Sequence, residues 1–171
     1  MPYKLITLLL KQHYTDMEKF KTLLKQLEKH IPAFAQQNIA VSSASVGWHI
    51  EHTLLTCTLI AGAVKQSDPS LYKRSFNFSK IMVYTLNKIP RGRAKAPKIV
   101  LPSADINPEN LQIHFQNTLQ KILVLKNLPA GHHFEHPYFG KLNVKETVRF
   151  LEIHSNHHLK IIEDILQNKV G

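Results

Sequence analysis

Apolar residues recur every three or four positions along several long segments of this 171-residue chain, and that period leaves α-helices as its main building unit. Met17, Phe20, Leu23, Leu24, Leu27 and Ile31 predict a first helix from about Asp16 to Phe34, with Pro32 near its end. Residues 3–12 either extend it or form a short helix of their own. Ser45 is a good N-cap for a second helix running to about Val64, apolar nearly all round and therefore central. A third helix is expected from Asn77 or Ser79 to Lys88. A fourth follows Asn107-Pro108, carries Leu111, Phe115, Leu119, Ile122 and Leu125, and stops by Pro129. The last opens with Asn143-Val144-Lys145-Glu146, close to a capping box, and runs to about Asn168. Between them, 90–107 reads as a long surface connection and 130–142 as a loop. Four long helices joined partly by long crossovers predict an all-α, four-helix-bundle fold forming one domain over residues 1–171.

Composition narrows the function classes. A single cysteine, Cys57, excludes a disulfide scaffold, a Cys-ligated zinc ribbon and a CxxC redox motif, and points to a reducing, cytoplasmic setting. Leu5 to Leu10 is too short and lacks the cleavage site of a signal peptide. No run approaches the roughly 20 apolar residues of a membrane span, so no membrane partner is expected.

Eleven histidines, nearly as many as the twelve acidic residues, need an explanation. In the last helix the apolar stripe runs through Val144, Val148 and Leu151, continues through His154 and His158, and resumes at Ile161 or Ile162 and Ile165. The i, i+4 spacing sets the two imidazoles one turn apart on one face, within reach of a single ion. His157 falls toward the flank. In the second helix, His52 shares a stripe with Trp48, Leu55 and Leu59 and supplies a third imidazole, with His49 one turn earlier as competitor. Three histidines without cysteine make a borderline donor set for zinc, nickel, iron or copper that leaves coordination positions open for water or substrate. The segment from His132 to Gly140 adds His132, His133 and His136, and reads either as a surface loop packing Phe134, Tyr138 and Phe139 on the bundle or as a lid. His13, His30 and His114 stand singly on helices.

Ser45-Val46-Gly47-Trp48-His49-Ile50-Glu51-His52 together with His154-Ser155-Asn156-His157-His158-Leu159 resembles the DinB/YfiT-like superfamily of metal-dependent enzymes. His136-Pro137-Tyr138-Phe139-Gly140-Lys141-Leu142 resembles more narrowly a DinB-like subfamily whose domain has no assigned function. The resemblance spans about residues 15–168. It implies a bundle with atypical crossovers and a metal site made by His52, His154 and His158, leaving His49 without a counterpart. It further implies nickel or zinc as the ion, with iron, manganese or copper also compatible, and often a dimer. Where many relatives continue with a basic residue and Gln, this chain has Leu159-Lys160-Ile161-Ile162. Relatives include transferases that use low-molecular-weight thiols, a thiol-dependent isomerase and hydrolases, so a small-molecule thiol transferase or hydrolase is the expected function.

An ion held by three imidazoles either lowers the pKa of bound water for hydrolysis or prepares a thiolate nucleophile. Glu51 and Glu152 adjoin the histidines in sequence but point about 100° away. Glu135, in the possible lid, is the remaining carboxylate candidate for a catalytic base. The competing readings are a non-catalytic metal-binding protein and a nucleic-acid- or anion-binding protein. The latter rests on charge. Nine Lys and Arg from Lys65 to Lys98 oppose Asp68 alone, a surplus of eight within the total of +10. Tyr72, Phe76, Phe78 and Tyr84 interleave with it like a stacking platform. No recognition helix or RRM-like motif accompanies them, and the aromatics read equally well as core residues of a short helix. The charge reads as a solvated basic rim that can steer an acidic small-molecule substrate.

Overall fold

The side chains that begin the long helices are those the sequence places there. The structure, a computed structural model, describes residues 16–74, 76–92, 96–103 and 105–167. The readings for residues 3–12, His13, Arg93, Lys95 and Asn168 lie outside the described residues. Helix α1 covers 16–28, α2 Val46–Gln66, α3 Phe78–Leu86, α4 Pro108–Ile122 and α5 Val144–Leu166. Ser45 Oγ accepts the Trp48 N–H, the Asn77 side chain accepts Lys80 N–H, and the Asn107 side chain accepts Asn110 N–H. At α5, Asn143 accepts Glu146 N–H and Glu146 accepts Asn143 N–H, a complete capping box that offsets two orphan donors.

Three expectations are corrected. First, α1 ends at 28 instead of 34, and a 3₁₀ turn at Ile31–Ala33 follows. Pro32 has no N–H, and its ring would clash with the carbonyl four residues back. Second, part of 130–142 is a β-hairpin instead of a loop, and the chain is mostly helical with this small two-stranded sheet. Strand β1, His133–His136, pairs antiparallel with β2, Gly140–Asn143, setting Phe134 opposite Leu142 and His136 opposite Gly140. Gly140 at φ 69° supplies the left-handed residue that the reversal requires. Third, Phe76 and Phe78 are exposed, not core.

One core receives Met17, Phe20, Leu24 and Leu27 from α1, Ile50 and Leu54 from α2, Leu111 and Phe115 from α4, and Val148 and Leu151 from α5. Helix α2 packs on both α4 and α5, as its all-round apolar surface predicts. Its first turn is tightly seated: Gly47 N–H donates to Phe34 O at 2.8 Å, and a Cβ at Gly47 would meet that same oxygen and Ile106 Cγ2 at 3.0 Å. The seat fixes the end of α2 that carries His49 and His52. No helix among the described residues is long and apolar enough to cross a membrane.

Candidate metal centre

The histidine stripe of α5 faces the end of α2. His52, His154 and His158 each bring one nitrogen into a group whose members all lie within 4.8 Å of one another. Their ring centroids are 4.6 to 5.2 Å apart. Two nitrogens bound tetrahedrally at ~2.1 Å from one ion lie about 3.4 Å apart, a spacing inside the 4.8 Å that bounds the trio.

Two of the three rings are oriented from behind. His52 Nδ1–H donates to Val100 O at 2.8 Å, which leaves Nε2 as its free lone pair, and the ring stacks on Trp48 at 5.0 Å and 14°. His158 Nδ1 lies 3.0 Å from His49 Nδ1, and His49 Nε2 lies 3.0 Å from Ser42 Oγ. A His158 that uses Nε2 as ligand carries its proton on Nδ1 and donates it to His49, whose own Nε2–H then donates to Ser42. Such backing fixes tautomer and ring angle at metal sites. His154 Nδ1 is enclosed and has no hydrogen-bond partner among the described residues. Since a buried unpaired nitrogen costs on the order of 1–3 kcal/mol, a Lewis acid in the trio is the partner that this donor set fits.

Electrostatics agree with a ligand role. Burial, reinforced by the neighbouring imidazoles, holds His154 and His158 well below the ordinary histidine range, and burial lowers His52 against the opposing pull of the Val100 carbonyl. His49 and His157 are each pushed to about 4 by burial, with nearby positive charges adding to it. All five rings are neutral at pH 7, the protonation state a metal ligand requires.

A cavity of about 1310 Å³ opens beside the trio, walled mainly by apolar side chains of α2, α3, the 96–100 segment and the hairpin. His52, His154, His157 and His158 all line it. Of the three histidines in the hairpin region, only His136 does so. Its ring stacks on Phe139 at 4.3 Å, and its Nδ1 accepts the N–H groups of Tyr138 and Phe139. The proton of the neutral ring is therefore on Nε2, and burial holds the ring neutral down to about 4. His132 bonds to Ser67 and Val64 instead, and His133 packs on Tyr72.

Glu135 is exposed and does not line the cavity: along β1 it alternates with Phe134 and His136, which do. Glu51 pairs with His114 at 2.9 Å across α2 and α4, and Glu152 with Arg149 along α5. Cys57 is buried, and its thiol is pushed up to about 12. It is no nucleophile, because only the thiolate attacks. Sequence reasoning missed two supports, the Val100 carbonyl and the His49–His158 bond. Trp48, one turn before His52, was the local sign of a shielded imidazole.

No family model matches the chain, and neither the curated proteins nor the solved structures include a significant match.

Proposed function

We propose that this chain is a metal-dependent enzyme of the DinB/YfiT-like kind, a four-helix bundle that uses His52, His154 and His158 to hold nickel or zinc and acts as a thiol transferase or hydrolase on a small molecule. The observation that carries the reading is the three-imidazole cluster set into the wall of a large apolar cavity, with His154 Nδ1 enclosed and unpartnered. A bound divalent ion supplies Lewis acidity, which lowers the pKa of the water or thiol it takes up. The protein does the rest. His49 and the Val100 carbonyl hold the ligand rings at fixed angles. The apolar walls exclude bulk water and receive the body of the substrate. His136, its Nδ1 occupied, offers an Nε2–H donor to a polar group of the bound molecule. The surrounding cationic segment draws acidic substrates to the opening.

The inert Cys57 separates the two chemistries, because a thiol-dependent reaction must take its thiol from solution. Protein loaded with nickel or zinc is assayed on electrophilic small molecules and activated esters, with and without a low-molecular-weight thiol. Turnover that needs the thiol marks a transferase, and turnover without it marks a hydrolase. Either activity is expected to fall at least about a hundredfold in His158→Ala. If neither appears, or if His158→Ala retains it, the enzymatic reading fails.

A further inference from the structure

Helix α3 packs Lys80, Val83 and Tyr84 inward and leaves its other apolar residues on the outer face. Lys80 is 8% exposed and pairs with Glu146 at 2.9 Å, while the Tyr84 hydroxyl donates to Glu146 O. On the opposite face Phe78, Ile81, Met82 and Leu86 are all exposed, Phe78 and Leu86 by more than 60%. Single exposed hydrophobes are ordinary, whereas a contiguous set is a recognition surface. This set is contiguous with the cavity mouth, because Phe78 and Met82 line the cavity together with Ile99 of the 96–100 segment, itself 73% exposed. Cations flank it in the chain: Lys73 and Arg74 precede α3, Lys88 and Lys98 follow, all four exposed and in no ion pair among the described residues.

We propose that this face docks on an anionic lipid bilayer, with α3 lying in the interface plane and the cavity mouth turned toward the acyl layer. The combination of an outward apolar face with flanking lysine and arginine is what such a surface requires. The apolar side chains enter the headgroup boundary, and the cations meet lipid phosphates. A second copy of the chain fits less well. A two-fold contact would set Lys73, Arg74, Lys88 and Lys98 against their own equivalents without an acidic counterpart. Nucleic acid would satisfy the cations but give no apolar phase to the aliphatic Ile81, Met82, Leu86 and Ile99. A nine-residue helix, about 13 Å long, lies on a bilayer and does not span one. The docking uses no metal ligand, so it stands or falls apart from the enzymatic reading.

Flotation of the full chain with vesicles tests it. The protein is expected to float with phosphatidylcholine–phosphatidylglycerol vesicles roughly tenfold more strongly than with phosphatidylcholine alone, and to be released by salt. Ile81→Ser combined with Leu86→Ser, both outside the cavity lining, is expected to weaken flotation about tenfold, as is Lys73→Glu with Lys88→Glu. Both variants should keep the wild-type melting temperature, and His158→Ala should float as wild type does. Absence of flotation on anionic vesicles overturns the proposal, as does flotation indifferent to Ile81→Ser with Leu86→Ser. A dimer in solution that this pair of substitutions dissociates assigns the face to a second copy and also overturns it. So does single-stranded oligonucleotide binding that survives the pair and exceeds binding to vesicles.

Discussion

His49 is the residue whose role most depends on the folded structure. It is 4% exposed, carries no ligand position in the trio, and joins His158 to Ser42 through its two ring nitrogens. Removing it leaves the three candidate ligands in place but frees the His158 ring to rotate and to change tautomer. His49→Ala is therefore expected to weaken metal affinity by about 10- to 100-fold, measured by calorimetric titration, while the one-ion stoichiometry is kept. Unchanged affinity would reduce His49 to packing. The trio itself was legible in the sequence because its signal is local: two histidines replace hydrophobes at i, i+4 on an otherwise apolar stripe, and His52 sits one turn after Trp48. The supports were not legible, since His49 and His158 are 109 positions apart and the Val100 carbonyl belongs to a segment without any period. The catalytic interest in Glu135 rested on its place in the segment that also reads as a lid. Strand alternation puts its side chain on the other face from His136.

At the scale of elements, α2 carries the most constraint, because its first turn must approach the Phe34 backbone closely for His49 and His52 to face α5. Gly47→Ala forces a Cβ to within 3.0 Å of Phe34 O, which cannot rotate away. That overpacking is expected to lower stability by about 1–3 kcal/mol in denaturant unfolding, and to loosen metal binding with it because the helix end shifts. A variant as stable as the parent would show that the turn has slack. Helices were readable wherever periodicity ran long and a cap preceded it, as at Ser45, Asn107 and Asn143. The hairpin was not, since four-residue strands offer too few positions for alternation to show. Its pairing is fixed by Phe134 meeting Leu142 and by the left-handed Gly140. Helix α3 was found from its pattern, but of its two aromatics only Tyr84 packs on the core, while Phe78 faces outward. Periodicity locates an apolar face without saying what covers it, and Lys80 finds its partner Glu146 only in the folded chain.

For the whole molecule, the cluster of neutral histidines makes stability depend on acidity in a definite direction. The unfolded chain protonates each histidine near 6.5, whereas His49 in the folded protein resists protonation until about 4. Between those values the unfolded state binds more protons, so stability falls as pH drops. The loss from a group as buried as His49 is roughly 1.4 kcal/mol per pH unit, and His136 and His157 add to it in the same sense. Metal-free protein is expected to melt at a steadily lower temperature from pH 6.5 to 4.5 and to show no such slope above pH 7. A melting temperature flat across the acid range would contradict the burial of these rings. A divalent ion that binds only the folded state acts in the opposite direction and raises the melting temperature with its concentration. The most direct test of the central claim is calorimetric titration of the metal-stripped protein with nickel and zinc at neutral pH, beside His52→Ala, His154→Ala and His158→Ala. The account predicts one ion per chain, with affinity reduced at least about a hundredfold by each substitution. Absence of stoichiometric binding, or binding that all three variants retain, would contradict it.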